Sequence, residues 1–153
     1  MKNFFSMLFI VTLLGLVFTA CGDDKDEPDM PDTQKLESVH EGDSDAYYVF
    51  DIDMNTNKGT IYMYNIQFGG APHTMNLRVN VPVNLNQSGS AYIMMGTNLV
   101  CEMDMPSAGG WIPMPDEKYQ LKNLTCTVNP KGKLYSISFD AHGGHFEESG
   151  KLK

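Results

Sequence analysis

From residue 46 onward, apolar and polar positions alternate with the period of two that half-buried strands require. Leu77, Val79, Val81, Val83 and Leu85 alternate with Asn76, Arg78, Asn80, Pro82 and Asn84. This is the clearest strand of the chain, and Pro82 points to an edge or a bulge because it cannot donate to a ladder. Tyr48, Phe50, Ile52 and Met54 form one face of an earlier strand, and Asn55-Thr56-Asn57-Lys58-Gly59 carries turn chemistry. Tyr62, Tyr64, Ile66 and Phe68 then mark the apolar face of a returning strand, so the two segments read as a hairpin. Further strands are expected over 91–95, 99–103, 119–128, 134–139 and 145–152, with turns at Asn86–Gly89, Asn129–Gly132 and Gly143-Gly144. Seven or eight short strands and no amphipathic helix predict a single all-β domain over 46–153, built as an antiparallel sandwich or a small barrel.

The exception to the alternation is the beginning. Lys2 precedes an apolar segment from Phe4 to Val17, which is shorter than the roughly 20 residues a membrane-spanning helix needs. Phe18-Thr19-Ala20-Cys21 follows and resembles a bacterial lipobox, with phenylalanine where leucine is usual. The resemblance implies a signal peptide over 1–20 and lipidation of Cys21, which would anchor the chain to a membrane through acyl chains. Gly22-Asp23-Asp24-Lys25-Asp26-Glu27-Pro28-Asp29 resembles the acidic export signals of Bacteroidota surface lipoproteins. It implies an outer-membrane lipoprotein facing the cell exterior, with a periplasm-facing one as the alternative.

Charge divides the chain at the same place. Residues 21–45 carry ten acids against Lys25 and Lys35, a net of −8, whereas 46–153 carry nine acids against eight Lys and Arg, a net of −1. Self-repulsion and low hydrophobicity predict a disordered acidic tether over 21–45 bearing a nearly neutral domain. No basic patch is present in the pattern, which argues against nucleic acid as a partner.

Within the domain, Thr60-Ile61-Tyr62-Met63-Tyr64-Asn65, Trp111-Ile112-Pro113-Met114-Pro115, Tyr119-Gln120-Leu121-Lys122-Asn123-Leu124 and Ile137-Ser138-Phe139 resemble segments of the short calycin-like lipoprotein domains of the Bacteroidota. The resemblance implies a binding role and brings no catalytic residues.

Candidate chemistry is sparse. Cys101 is in phase with Leu99 and Met103, and Cys126 with Leu124 and Val128, so both face the apolar side. They are a candidate disulfide in an oxidising compartment, or else two separate buried thiols. His142 and His145 flank Gly143-Gly144, and with Asp140 they form a candidate zinc or copper site; a solvated hairpin tip is the alternative. Met94, Met95, Met103 and Met105 suit either Cu(I) or a soft core. Asp51 with Asp53, and Glu102 with Asp104, place carboxylates two apart, the spacing of a sheet's solvated side more often than of an acid–base pair. No nucleophile elbow, phosphate loop or Cys–His arrangement occurs, and an enzyme is not expected.

The segment Ser107-Ala108-Gly109-Gly110-Trp111-Ile112-Pro113-Met114-Pro115 reads as a loop holding the only tryptophan, with Tyr119 close behind. Trp111 and Tyr119 form a candidate ligand patch, unless Trp111 folds back as a core plug. The expectation is a membrane-anchored, non-catalytic module that binds a glycan, peptide, lipid or partner protein. The alternatives are an accessory component of an envelope complex or a metal carrier.

Overall fold

A computed structural model describes residues 30–40, 45–67 and 73–153. Cys21, the apolar leader before it and most of the acidic stretch lie outside these residues. Ten strands run in chain order: β1 (Thr33–Glu37), β2 (Tyr47–Asp53), β3 (Lys58–Ile66), β4 (Met75–Leu85), β5 (Tyr92–Gly96), β6 (Cys101–Met105), β7 (Gly110–Met114), β8 (Lys122–Asn129), β9 (Leu134–Ala141) and β10 (Gly144–Lys151). All pairings are antiparallel, in the order β1-β2-β3-β4-β5-β8-β9-β10, while β6 leaves the path to pair with β4 and β7. The sheet curls into a half-barrel, in keeping with the all-β, calycin-like expectation. The described residues form ten strands, more than the seven or eight expected.

The long strand β4 makes the curl possible. Its first half pairs with β6 through Leu77↔Met103 and Arg78↔Glu102, and its last residues pair with β5 from Val83↔Met94 onward. Pro82 sits where β4 passes from one partner to the other. The Val83 N–H points toward β3, donating to the Asn57 carbonyl, so the nitrogen of Pro82 faces the opposite side, where no ladder runs. Pro82 is therefore in an interior strand, at a junction, and neither on an edge nor in a bulge as its sequence suggested.

The concave side is filled by Phe50, Ile52, Ile61, Met63, Val83, Tyr92 and Met94, all fully buried, together with their neighbours on β8 and β9. Gly59 belongs to this face: a Cβ there would lie 2.8 Å from the Met94 sulfur, so the glycine makes room for the methionine.

Two expectations about this face are corrected. The inward residues of β3 are Gly59, Ile61 and Met63, so Tyr62 and Tyr64 point outward. The pairing of β3 with β4 slips between Met63 and Ile66, where Asn65 adopts a left-handed backbone (φ 55°). This bulge inverts the phase and returns Ile66 to the interior. Alternation read backward through it assigns the tyrosines to the wrong side.

The other correction concerns the tether. Residues 33–37 are a strand paired with β2 from Thr33↔Asp53 to Glu37↔Val49, so the folded part begins well before residue 46. Met30 and Leu36 pack against the core, and the Tyr92 hydroxyl donates to the Pro31 carbonyl at 2.8 Å. Ser38 is fully buried, its hydroxyl accepting the Tyr48 N–H at 2.8 Å. Net charge concealed a strand in which Thr33 and Lys35 are exposed, Gln34, Leu36 and Glu37 are half-buried, and pairing is through backbone.

Candidate functional site

The outward tyrosines of β3 belong to a continuous aromatic row across the convex face. Tyr47 and Tyr64 are cross-strand partners, and their rings stack at 4.6 Å and 15°. His40 stacks on the far side of Tyr47 at 4.5 Å, and Tyr62 lies parallel to Tyr64 at 6.2 Å. Trp111 meets Tyr62 edge-on at 5.8 Å and 68°. Two cations close the row: the Lys35 ammonium lies 5.7 Å from the Tyr62 ring, and the Arg78 guanidinium 5.0 Å from Trp111. Arg78 is held in turn by Glu102, its opposite number in the ladder, whose carboxylate accepts from Nε at 2.8 Å and also from Nη2.

Each position has a local cause. Trp111 is on strand β7, not on a loop: Pro106–Ala108 forms a turn of 3-10 helix, and Gly109 and Gly110, both at positive φ, bring the chain back against β6. That register sets Trp111 opposite Asp104. The ring is half-buried on the convex surface, which is neither the free loop tip nor the core plug that its sequence allowed. Burial, with the neighbouring Tyr47, Tyr62, Asp104 and Glu37, raises the Tyr64 phenol above its ordinary value, so it remains a neutral donor. The row thus shows hydroxyl edges, carboxylates and cations side by side.

Tyr119 does not join Trp111. It lies at the end of a short 3-10 turn (Glu117–Tyr119), with its ring edge-on to His142 at 5.2 Å. The candidate metal set is divided in the same way. His145 Nδ1 is hydrogen-bonded to Asp140 at 2.7 Å, and Asn123 donates to the other oxygen of Asp140 at 2.7 Å. His142 is instead the first residue of the two-residue turn between β9 and β10 (φ 54°, followed by Gly143 at 75°) and leans on Tyr119. The hydrogen bonds from Asn123 and His145 lower the Asp140 pKa. Among the described residues, no three His, Cys, Asp or Glu side chains stand close enough together to hold a metal ion.

One carboxylate of each pair has a structural partner. Asp53 accepts the Asn55 and Thr56 amides and the Thr56 hydroxyl in the β2–β3 turn, and Glu102 holds Arg78. Cys101 and Cys126 are free thiols in the core rather than a disulfide. They lie on strands without a common ladder, β6 with β4 and β7, β8 with β5 and β9. Burial pushes the Cys101 thiol up to about 12 and raises Cys126 as well. Met94 is fully buried and Met95 largely exposed, so the two point to opposite faces.

Comparison with protein-family models, with curated proteins and with solved structures found no match.

Proposed function

We propose that the chain is a lipid-anchored binding module that holds a partner protein on its convex aromatic face, at the cell exterior. The observation that carries this reading is the row His40–Tyr47–Tyr64–Tyr62–Trp111 with Arg78 at its end. Tyrosine, tryptophan and arginine are the residues that dominate protein–protein contacts, because they combine large apolar area with a polar tip. Here they are already fixed in place by one another, so little side-chain entropy remains to be lost on binding.

The ring geometry separates this reading from a glycan site. A sugar ring stacks on an open aromatic face, whereas His40, Tyr47, Tyr64 and Tyr62 turn their faces to each other. What projects outward is ring edges and phenol hydroxyls, which suit the mixed apolar and hydrogen-bonding surface of a protein. Cys21 would supply the anchor and the acidic residues after it the stand-off from the membrane.

The test is photo-crosslinking on intact cells with a benzophenone amino acid at position 64, and at exposed Met95 as the comparison. The proposal expects one discrete adduct from position 64 that disappears in the Tyr62→Ala/Trp111→Ala double variant. Equal adducts from both positions, or none from either, would refute it.

A further inference from the structure

We propose a second, independent site: the outward groove across β8, β9 and β10 binds a glycan that carries uronic acid units. Burial fixes the face. Cys126, Val128, Tyr135 and Ile137 point into the core, so Thr127 and Ser136 between them point out. The register then aligns two outward rows across the three strands. Thr127↔Ser136↔Ser149 is one row, and Asn129↔Leu134↔Lys151 is the next. A groove of about 550 Å³ runs here, and all six residues line it.

The first row suits a sugar chain. Neighbouring strands lie about 4.8 Å apart, so the row offers one hydroxyl at each step of roughly a sugar unit's length. Among the described residues, none of the three hydroxyls is held in a side-chain hydrogen bond. Each can both donate and accept, as the hydroxyls of a glycan do.

Charge specifies the kind of sugar. Lys151 is the one charged residue of the described lining, and its ammonium has no ion-pair partner among the described residues. The carboxylates of β10 are directed elsewhere: Glu147 lies on the far side of the hydroxyl row, and Glu148 turns inward to accept from Tyr48. Lys133, the residue before Leu134, is exposed as well and adds positive charge at that end. A ligand carboxylate completes the arrangement, since lysine supplies three donors and a compact charge. Other occupants fit less well. Nucleic acid would need several cations along its backbone, and a protein would need apolar area where the outward rows offer only Leu134.

The experiment titrates tetragalacturonate, and separately its fully methyl-esterified form, into the isotope-labelled full chain in detergent micelles and follows amide chemical shifts. The acid should shift Thr127, Ser136, Ser149 and Lys151. Its affinity should fall about fivefold in Lys151→Gln, and fall also in Ser136→Val, both changes at exposed positions. The methyl ester should bind about fivefold more weakly than the acid, and added salt should narrow that gap. No shift at the solubility limit of the acid, equal binding of the ester, unchanged affinity in both variants, or shifts confined to the Tyr62–Trp111 face would each overturn the proposal. None of these outcomes depends on the partner held by the aromatic face.

Discussion

Tyr47 and Tyr64 face each other across the β2–β3 ladder and stack at 4.6 Å on the outside of the sheet. This pair sets the direction of the whole aromatic row, since His40 continues it on one side and Tyr62 and Trp111 on the other. A double-mutant cycle with Tyr47→Ala and Tyr64→Ala should return a coupling of about 0.5–1.5 kcal/mol in urea unfolding. Additive single effects would mean that the rings are neighbours without an energetic link.

The bulge at Asn65 is what returns Ile66 to the interior just after the outward Tyr64, and its backbone lies at φ 55°. Asn65 also donates from its side chain to the Asp45 carbonyl at 3.1 Å, and its amide meets Asn76 at 3.0 Å. Asn65→Val forces a branched side chain into a left-handed conformation and should cost about 1–3 kcal/mol. Asn65→Gly keeps the conformation and loses only the side-chain bond, so it should cost less. Equal losses in thermal or urea unfolding would remove the bulge from the explanation.

These two residues also mark the limit of what the sequence discloses. The alternation of β4 was legible because Leu77, Val79, Val81 and Val83 stay in phase for a whole strand and are all buried. That of β3 was not, because one left-handed asparagine reverses the phase and tyrosine is at home on either face. Strand β1 was hidden by its charged Lys35 and Glu37 and by the acidic residues around it, since backbone pairing leaves no hydropathy signal. Trp111 looked like a loop residue for the opposite reason: Gly109 and Gly110 mark the turn, but the strand after it contains Pro113. Leu85 continues the apolar phase of β4 and is nevertheless exposed, because the strand has reached the end of the sheet.

The Tyr48 hydroxyl donates to Glu148 at 2.8 Å, and Tyr135 donates to the other oxygen of the same carboxylate at 3.1 Å. Burial, and then the Glu148 carboxylate, raise the Tyr48 pKa well above its ordinary 10. A raised folded-state value means that the stabilisation is complete below pH 10 and is lost as pH rises beyond it. The urea midpoint should therefore fall on the alkaline side, and more gently in Tyr48→Phe than in the parent chain. Identical alkaline slopes would contradict the assignment.

Both domain cysteines should resist iodoacetamide at pH 8 in the folded chain, with Cys101 held near 12 by burial, and both should react after unfolding without reductant. Mass spectrometry reads the outcome directly. A species lacking both labels after unfolding would show a bridge and overturn the free-thiol arrangement.

The central claim is that the convex aromatic row is covered by a partner in the cell. Hydroxyl-radical footprinting of Tyr47, Tyr62, Tyr64 and Trp111 tests it most directly, comparing intact cells with the purified chain. The account predicts strong oxidation of these four in the purified chain and protection on cells, while exposed Met95 is oxidised in both. Equal oxidation of the row in the two settings would contradict it.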